Sequence, residues 1–129
     1  MFPYKAQNSD IVCRYLYNSN DFSSNGVRHS AFIPPQKHPN EISVCVRTNL
    51  SEEDTWEKAP PRKDKTLKGR ADLEVLDIRN SLSFLEVEVD GKPHKYHANI
   101  LNFPTEKNQR RIVAAKLAEI SCLVKKPQE

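Results

Sequence analysis

Two histidines three residues apart, His94 and His97 in "HKYHANI", are the first residues whose type and spacing can do chemistry. On a helix that spacing presents both imidazoles to one metal ion or substrate; on a strand it sends them to opposite faces. The neighbouring residues decide for a strand. "FLEVEV" alternates Leu85, Val87 and Val89 with Glu86 and Glu88, and Asp90-Gly91 carries the residue types of a tight hairpin turn. Counting outward from a turn that pairs Val89 with Lys92, Val87 faces His94, Leu85 faces Tyr96 and Phe84 faces His97. That register sends His94, Tyr96, Ala98 and Ile100 to the core and turns Lys95, His97 and Asn99, beside Glu86, to the other side. His97 with Asn99 is therefore the pair suited to acid-base work, and His94 reads as a core residue.

The same alternation marks two further polar pairs inside apolar segments, Arg28 with Ser30 in "VRHSAFIPP" and Ser43 with Arg47 in "ISVCVRT". If these faces converge with that of His97, they make a pocket with guanidinium groups for an anion and an imidazole for proton transfer. As outward faces of half-exposed strands the same residues meet water, and as a buried polar network they fix the fold. Arg28, Ser30, Ser43, Arg47, Arg70, His97 and Asn99 are the candidate ligand-binding residues, with His97 and Arg28 as catalytic candidates.

Other chemistries find less support. Cys13, Cys45 and Cys122 are widely spaced in apolar surroundings and read as buried thiols rather than a disulfide frame. A cysteine nucleophile paired with one of the four histidines is left open. With no CxxC, and His94 and His97 on opposite strand faces, no metal site is expected, and no cofactor. The chain has three glycines and neither GxSxG, GxGxxG nor a P-loop, which disfavours nucleotide triphosphate and dinucleotide enzymes. Glu86 and Glu88 read as the solvated face of a strand.

The elements that must position these residues follow from periodicity and breakers. Strands are predicted over 11–17, over "VRHSAFI" and over "ISVCVRT". "LSEEDTWEKA" predicts a short helix capped by Ser51, with acidic residues where the helix dipole favours them. After a basic loop at 60–70 come a strand over "ADLEVLDI" and the hairpin. A final helix over 106–124 is capped by Thr105 and carries the stripe Val113, Leu117, Ile120 and Val124, with Lys107 and Arg111 on the opposite face. The order β-β-β-α-β-β-β-α predicts an α+β fold: a small, mainly antiparallel sheet, a short helix after the third strand, and a C-terminal helix packed on the sheet. One domain over 1–129 is expected, with 1–9 and 125–129 as loose ends.

Charge bounds the partners. The net charge is +3, with 29% charged and 37% hydrophobic residues, which suits a folded and mildly basic domain. Arg62, Lys63, Lys65, Lys68 and Arg70 cluster in the basic loop and suit nucleic-acid phosphates, although Asp64, Glu74, Glu86 and Glu88 interrupt the positive field. The N-terminal residues lack the pattern of a secretion signal and no apolar run spans a bilayer, so a cytoplasmic protein with no membrane partner is expected. These readings favour a small binding or regulatory module for a protein or an anionic ligand. The alternatives are an enzyme acting on a phosphate-containing substrate such as RNA or a nucleotide, using Arg28 or Arg70 and His97, and a nucleic-acid-binding protein using residues 62–70.

The segments "VRHSAFIPP", "LSEE", "GRAD" and "HANI" taken together resemble a family of small uncharacterised bacterial proteins. The resemblance spans most of the chain and points to Arg28, Phe32, Pro34, Ser51, Gly69, Arg70, Asp72, His97, Ala98 and Asn99. It implies no activity, cofactor or catalytic residue. The "LEVEVDGKPHKY" hairpin is longer here than in that pattern, which loosens the hairpin register.

Overall fold

A computed structural model describes residues 1–127. In chain order it runs β1 (Tyr4–Lys5), β2 (Ile11–Leu16), a 3-10 turn at Ser19–Asp21, β3 (Phe22–Ser23), β4 (Gly26–Val27) and a 3-10 turn at His29–Phe32. Then follow β5 (Ile42–Val46), α1 (Glu52–Glu57), β6 (Gly69–Glu74), α2 (Val75–Ser81), β7 (Glu86–Val89), β8 (His97–Leu101), α3 (Lys107–Ile120) and β9 (Cys122–Lys125). One seven-stranded sheet has the order β1-β7-β8-β5-β2-β6-β9, and β3 pairs only with β4. Its pairings are antiparallel throughout, so the fold is α+β.

The two faces of the sheet differ because the strands alternate. Val12, Leu16, Ile42, Val44, Ala71, Leu73, Val87, Val89, Ala98 and Ile100 form one apolar face, buried with Phe32, Ile78, Val113, Ala114 and Leu117 from the turn and helices laid over it. The opposite face carries Cys13, Tyr15, Ser43, Cys45, Arg47, Arg70, Asp72, His97 and Asn99, and α1 lies over part of it, where the Tyr15 hydroxyl donates to the Thr55 carbonyl at 2.5 Å. The first face holds the fold; the second is where function has room.

Several expectations change. "VRHSAFI" is not a strand: only Gly26–Val27 pair, and His29–Phe32 wind into a 3-10 turn that buries Ala31 and Phe32. "ADLEVLDI" splits, because Val75, Ile78 and Leu82 recur at helical spacing and α2 replaces the second half of the strand. The last helix stops at Ile120, and Cys122–Lys125 pair with β6, so Val124 belongs to an edge strand rather than to a helical stripe. Its N-cap is Glu106, not Thr105; the Glu106 carboxylate accepts from the Asn108 and Gln109 amides. The short helix forms behind its Ser51 cap, yet it follows the fifth strand rather than the third. Tyr4–Lys5 add a strand against β7 in the segment expected to be loose, and residues 128 and 129 of the other expected end lie outside the described residues.

The hairpin is real but wider than a two-residue turn. Val89 pairs with Ala98 and Val87 with Ile100, so the strands start only beyond Tyr96. Pro93 has no amide hydrogen to give a ladder, and the His97 amide turns back to the His94 carbonyl instead. Gly91, at φ +70°, permits the turn, and a Cβ there would meet the Phe2 ring at 2.7 Å.

Candidate functional site

The hairpin loop sets the first part of the site. The Asp90 carboxylate lies 2.7 Å from His97 Nδ1 and accepts from the Asn99 amide at 2.9 Å and the Lys92 N–H at 3.2 Å. Asn99 Oδ1 in turn accepts from the Ser43 hydroxyl at 3.4 Å. Ser43, His97 and Asn99 therefore come together on β5 and β8, a convergence that alternation left open, and Asp90 bonds both His97 and Asn99. Burial works against the Asp90 carboxylate, but His97, the Lys92 amide and Asn99 outweigh it and hold its pKa below the ordinary value. Sequence reading missed Asp90 because an Asp before Gly has a sufficient explanation as a turn residue.

The register of β5 supplies the second part. Cys45 pairs with His97 on β8 and with Cys13 on β2. The Val46 amide donates to the Tyr96 carbonyl at 2.8 Å, so the next rung, Cys45 with His97, is a non-hydrogen-bonded pair, the kind that brings side chains closest. Hydrogen bonding from the Cys13 thiol is the largest influence on Cys45, ahead of the opposing effect of burial. With help from Tyr15, Lys58 and Arg47 it brings the Cys45 thiol down to about 7. The Cys13 thiol moves the other way, raised by its bond to Cys45 and by burial. Cys13 and Cys45 are buried as expected, but Cys122 is exposed, because β9 is an edge strand.

The third part is a gap in the sheet. Pairing between β2 and β5 covers only Val12 with Val46 and Cys13 with Cys45, whereas β2 pairs with β6 over six residues. Where the rungs stop, the Arg14 guanidinium enters, donating to the Ala31 carbonyl at 3.0 Å and the Ser43 carbonyl at 2.9 Å. A cavity of about 450 Å³ opens there, walled by Arg14, Tyr15 and Tyr17 of the β2 segment, Ser43 and Cys45 of β5, the chain from Glu57 to Arg62, and Pro93, His94 and His97. Arg62 lies 5.0 Å over the Tyr17 ring, whose hydroxyl donates to the Pro60 carbonyl. Burial and then the nearby charge of Arg62 lower the Arg14 pKa to about 10, so it keeps its proton at neutral pH. His94, expected in the core, stands on this wall with His97, their ring centroids 6.2 Å apart, and burial together with His97 and Lys58 lowers its pKa. The two histidines do not face opposite ways, because His94 belongs to the loop and not to the strand.

The remaining candidates lie elsewhere. Arg70, expected in an exposed loop, is a residue of β6 and 1% exposed. It bonds Asp72 at 2.9 Å and Glu52 at 3.0 Å beneath the Trp56 ring, with Nη1 buried and unbonded among the described residues. Burial acts to lower the Arg70 pKa, and Asp72 and Glu52 overcome it and leave it raised. Arg47 shares the same carboxylates, reaching Glu52 at 2.6 Å and Asp72 at 3.6 Å. Both arginines are thus committed to docking α1 on the sheet. Arg28 and Ser30 are exposed at the turn that packs against α3, on the other side of the sheet; the Ser30 hydroxyl donates to Asp21 at 2.7 Å. They do not join His97. Arg62, Lys63, Lys65 and Lys68 are exposed in the basic loop, which loses Arg70 to the sheet. Among the described residues no three metal-ligating side chains gather, and no helix is long and apolar enough to cross a membrane. Comparison of the chain with protein-family models, curated proteins and solved structures finds no match.

Proposed function

We propose that the protein is a binding module for a small anionic molecule, taken up in the cavity between β2, β5 and the Glu57–Arg62 segment. The observation that carries this reading is the charge of the wall: Arg14, Lys58 and Arg62 stand against Glu57, its one carboxylate among the described residues. Arg14 is half-buried in the split of the sheet, bonded among the described residues to two backbone carbonyls, and close enough to Arg62 to feel its charge. The two guanidiniums repel, Asp21 offsets part of that repulsion from outside the cavity wall, and an anion placed in the cavity relieves the rest. The volume suits a metabolite rather than a bare ion. Tyr15, Tyr17, Val44 and three prolines give that molecule an apolar body to rest on.

The test is an amide NMR titration with nucleoside monophosphates and aromatic carboxylates at low and high salt. Saturable shifts at Tyr17, Ser43, His94 and His97 are expected, with affinity reduced about tenfold or more in Arg62→Ala, as for loss of a charge-assisted bond. Binding of equal strength in Arg62→Ala, or no saturable shift, overturns the reading. Shifts confined to 62–68 on adding RNA overturn it in favour of nucleic-acid binding.

A further inference from the structure

We propose that Cys45, His97 and Asp90 form a nucleophile, its proton acceptor and the group that orients it, making the cavity the active site of an acyl-transferring hydrolase for a small ester or thioester. The inference shares the cavity with the reading above but rests on different residues.

Three independent features of the fold carry it. First, Cys45 and His97 are direct partners on adjacent strands at a close rung, which sets their Cβ atoms about 5 Å apart. Second, His97 Nδ1 is taken by Asp90, and Asp90 is itself fixed by Asn99 and the Lys92 amide, so the ring presents Nε2 for proton transfer. Nucleophilic catalysis requires a nucleophile within reach of a base that a third group orients; the oriented base is formed, and the Cys45 thiol, which meets the Val46 carbonyl at 3.9 Å, completes the arrangement by turning toward Nε2 across the rung. Third, Cys45 and His97 both line the 450 Å³ cavity, whereas Cys13 and Cys122 do not. Apart from His97, the thiol is acted on by Cys13, Tyr15, Lys58 and Arg47, which favour the thiolate, and by burial, which opposes it. Lys58, on the same wall, offers positive charge to an oxyanion.

The reaction balances without an added oxidant or metal. The Cys45 thiol passes its proton to His97, and the thiolate attacks the acyl carbon, forming a C–S bond while the carbonyl electron pair moves to oxygen. Collapse of that adduct breaks the bond to the leaving alkoxide or thiolate, which takes the proton from His97. Water then adds to the Cys45 thioester as His97 accepts a proton from it; the C–S bond breaks, the proton returns to sulfur, and the acid leaves.

The experiment treats the native protein with 4-nitrophenyl acetate and with the 4-nitrophenyl half-ester of succinate. A burst of nitrophenolate and an acyl group mapped to Cys45 by mass spectrometry are expected. Cys45→Ala abolishes both, Cys122→Ser retains both, and His97→Gln and Asp90→Asn slow acylation about a hundredfold. Circular dichroism establishes that each variant is folded. In the native protein, alkylation of Cys45 by iodoacetamide is expected to follow a midpoint near pH 7, moving upward in Asp90→Asn. No burst with either ester, or a burst unchanged in Cys45→Ala, overturns the proposal, as does an alkylation midpoint above that of a free thiol. The outcomes also separate the two readings. Equal rates with both esters support the nucleophile and remove the anionic ligand; anion binding by Cys45→Ala with no acylation of the native protein does the reverse.

Discussion

Asp90 ties the site together and is also its acid-sensitive point. Its carboxylate is held below the ordinary pKa by His97, the Lys92 amide and Asn99 against the cost of burial. The stability it contributes is therefore complete above the unfolded value of about 4 and is lost as pH falls through its lower folded value. Urea denaturation across pH is expected to find Asp90→Asn less stable than the native protein near neutrality, with the gap closing below about pH 4. A gap that does not depend on pH would mean the carboxylate is not held as described. Arg70 makes a second residue-scale case. Removing a buried guanidinium leaves Asp72, among the described residues, with the more distant Arg47 alone, so Arg70→Ala is expected to cost about 3 kcal/mol in the same measurement. His97 and Asn99 were legible as a pair from alternation alone. Asp90 was not, because nothing local distinguishes a turn aspartate from one that holds an imidazole.

At the scale of elements, α1 is short and depends on its cap and its one buried residue. The Ser51 hydroxyl accepts the Asp54 amide at 3.0 Å, and the Thr55 hydroxyl donates to the Ser51 carbonyl while accepting from Arg47. Ser51→Ala is expected to cost about 1 kcal/mol. Because Thr55 also receives the Tyr15 hydroxyl, it is further expected to broaden the NMR signals of the cavity wall at Tyr15 and Lys58. The cap was readable from "LSEED", since it lies within one turn. α2 was not, since Val75 and Ile78 satisfy both a strand run and a helical stripe until the core they pack against is known.

Over the whole molecule, the sheet divides labour between its faces: an apolar face under α2 and α3, and a polar face under α1. That division predicts separable effects. Leu117→Ala, a fully buried residue of α3, is expected to lower stability by about 2–5 kcal/mol while leaving the Cys45 alkylation rate at its native value below the melting transition. A parallel loss of thiol reactivity would mean the two layers are coupled.

Which side of the sheet each β8 residue takes was decided by the sequence itself. Side chains alternate with a period of two, and replacing the expected pairing of Val89 with Lys92 by Val89 with Ala98 moves the register by an even number of residues, so Ala98 and Ile100 still face the core and His97 and Asn99 still face away. Which partner each residue meets was decided only by the tertiary structure. The rung of Cys45 with His97, the entry of Arg14 between β2 and β5, and the burial of Arg70 all join distant segments. Their partners lie far apart in the chain and are chosen by how the strands assemble into one sheet, and the local pattern of residues carries no record of that choice.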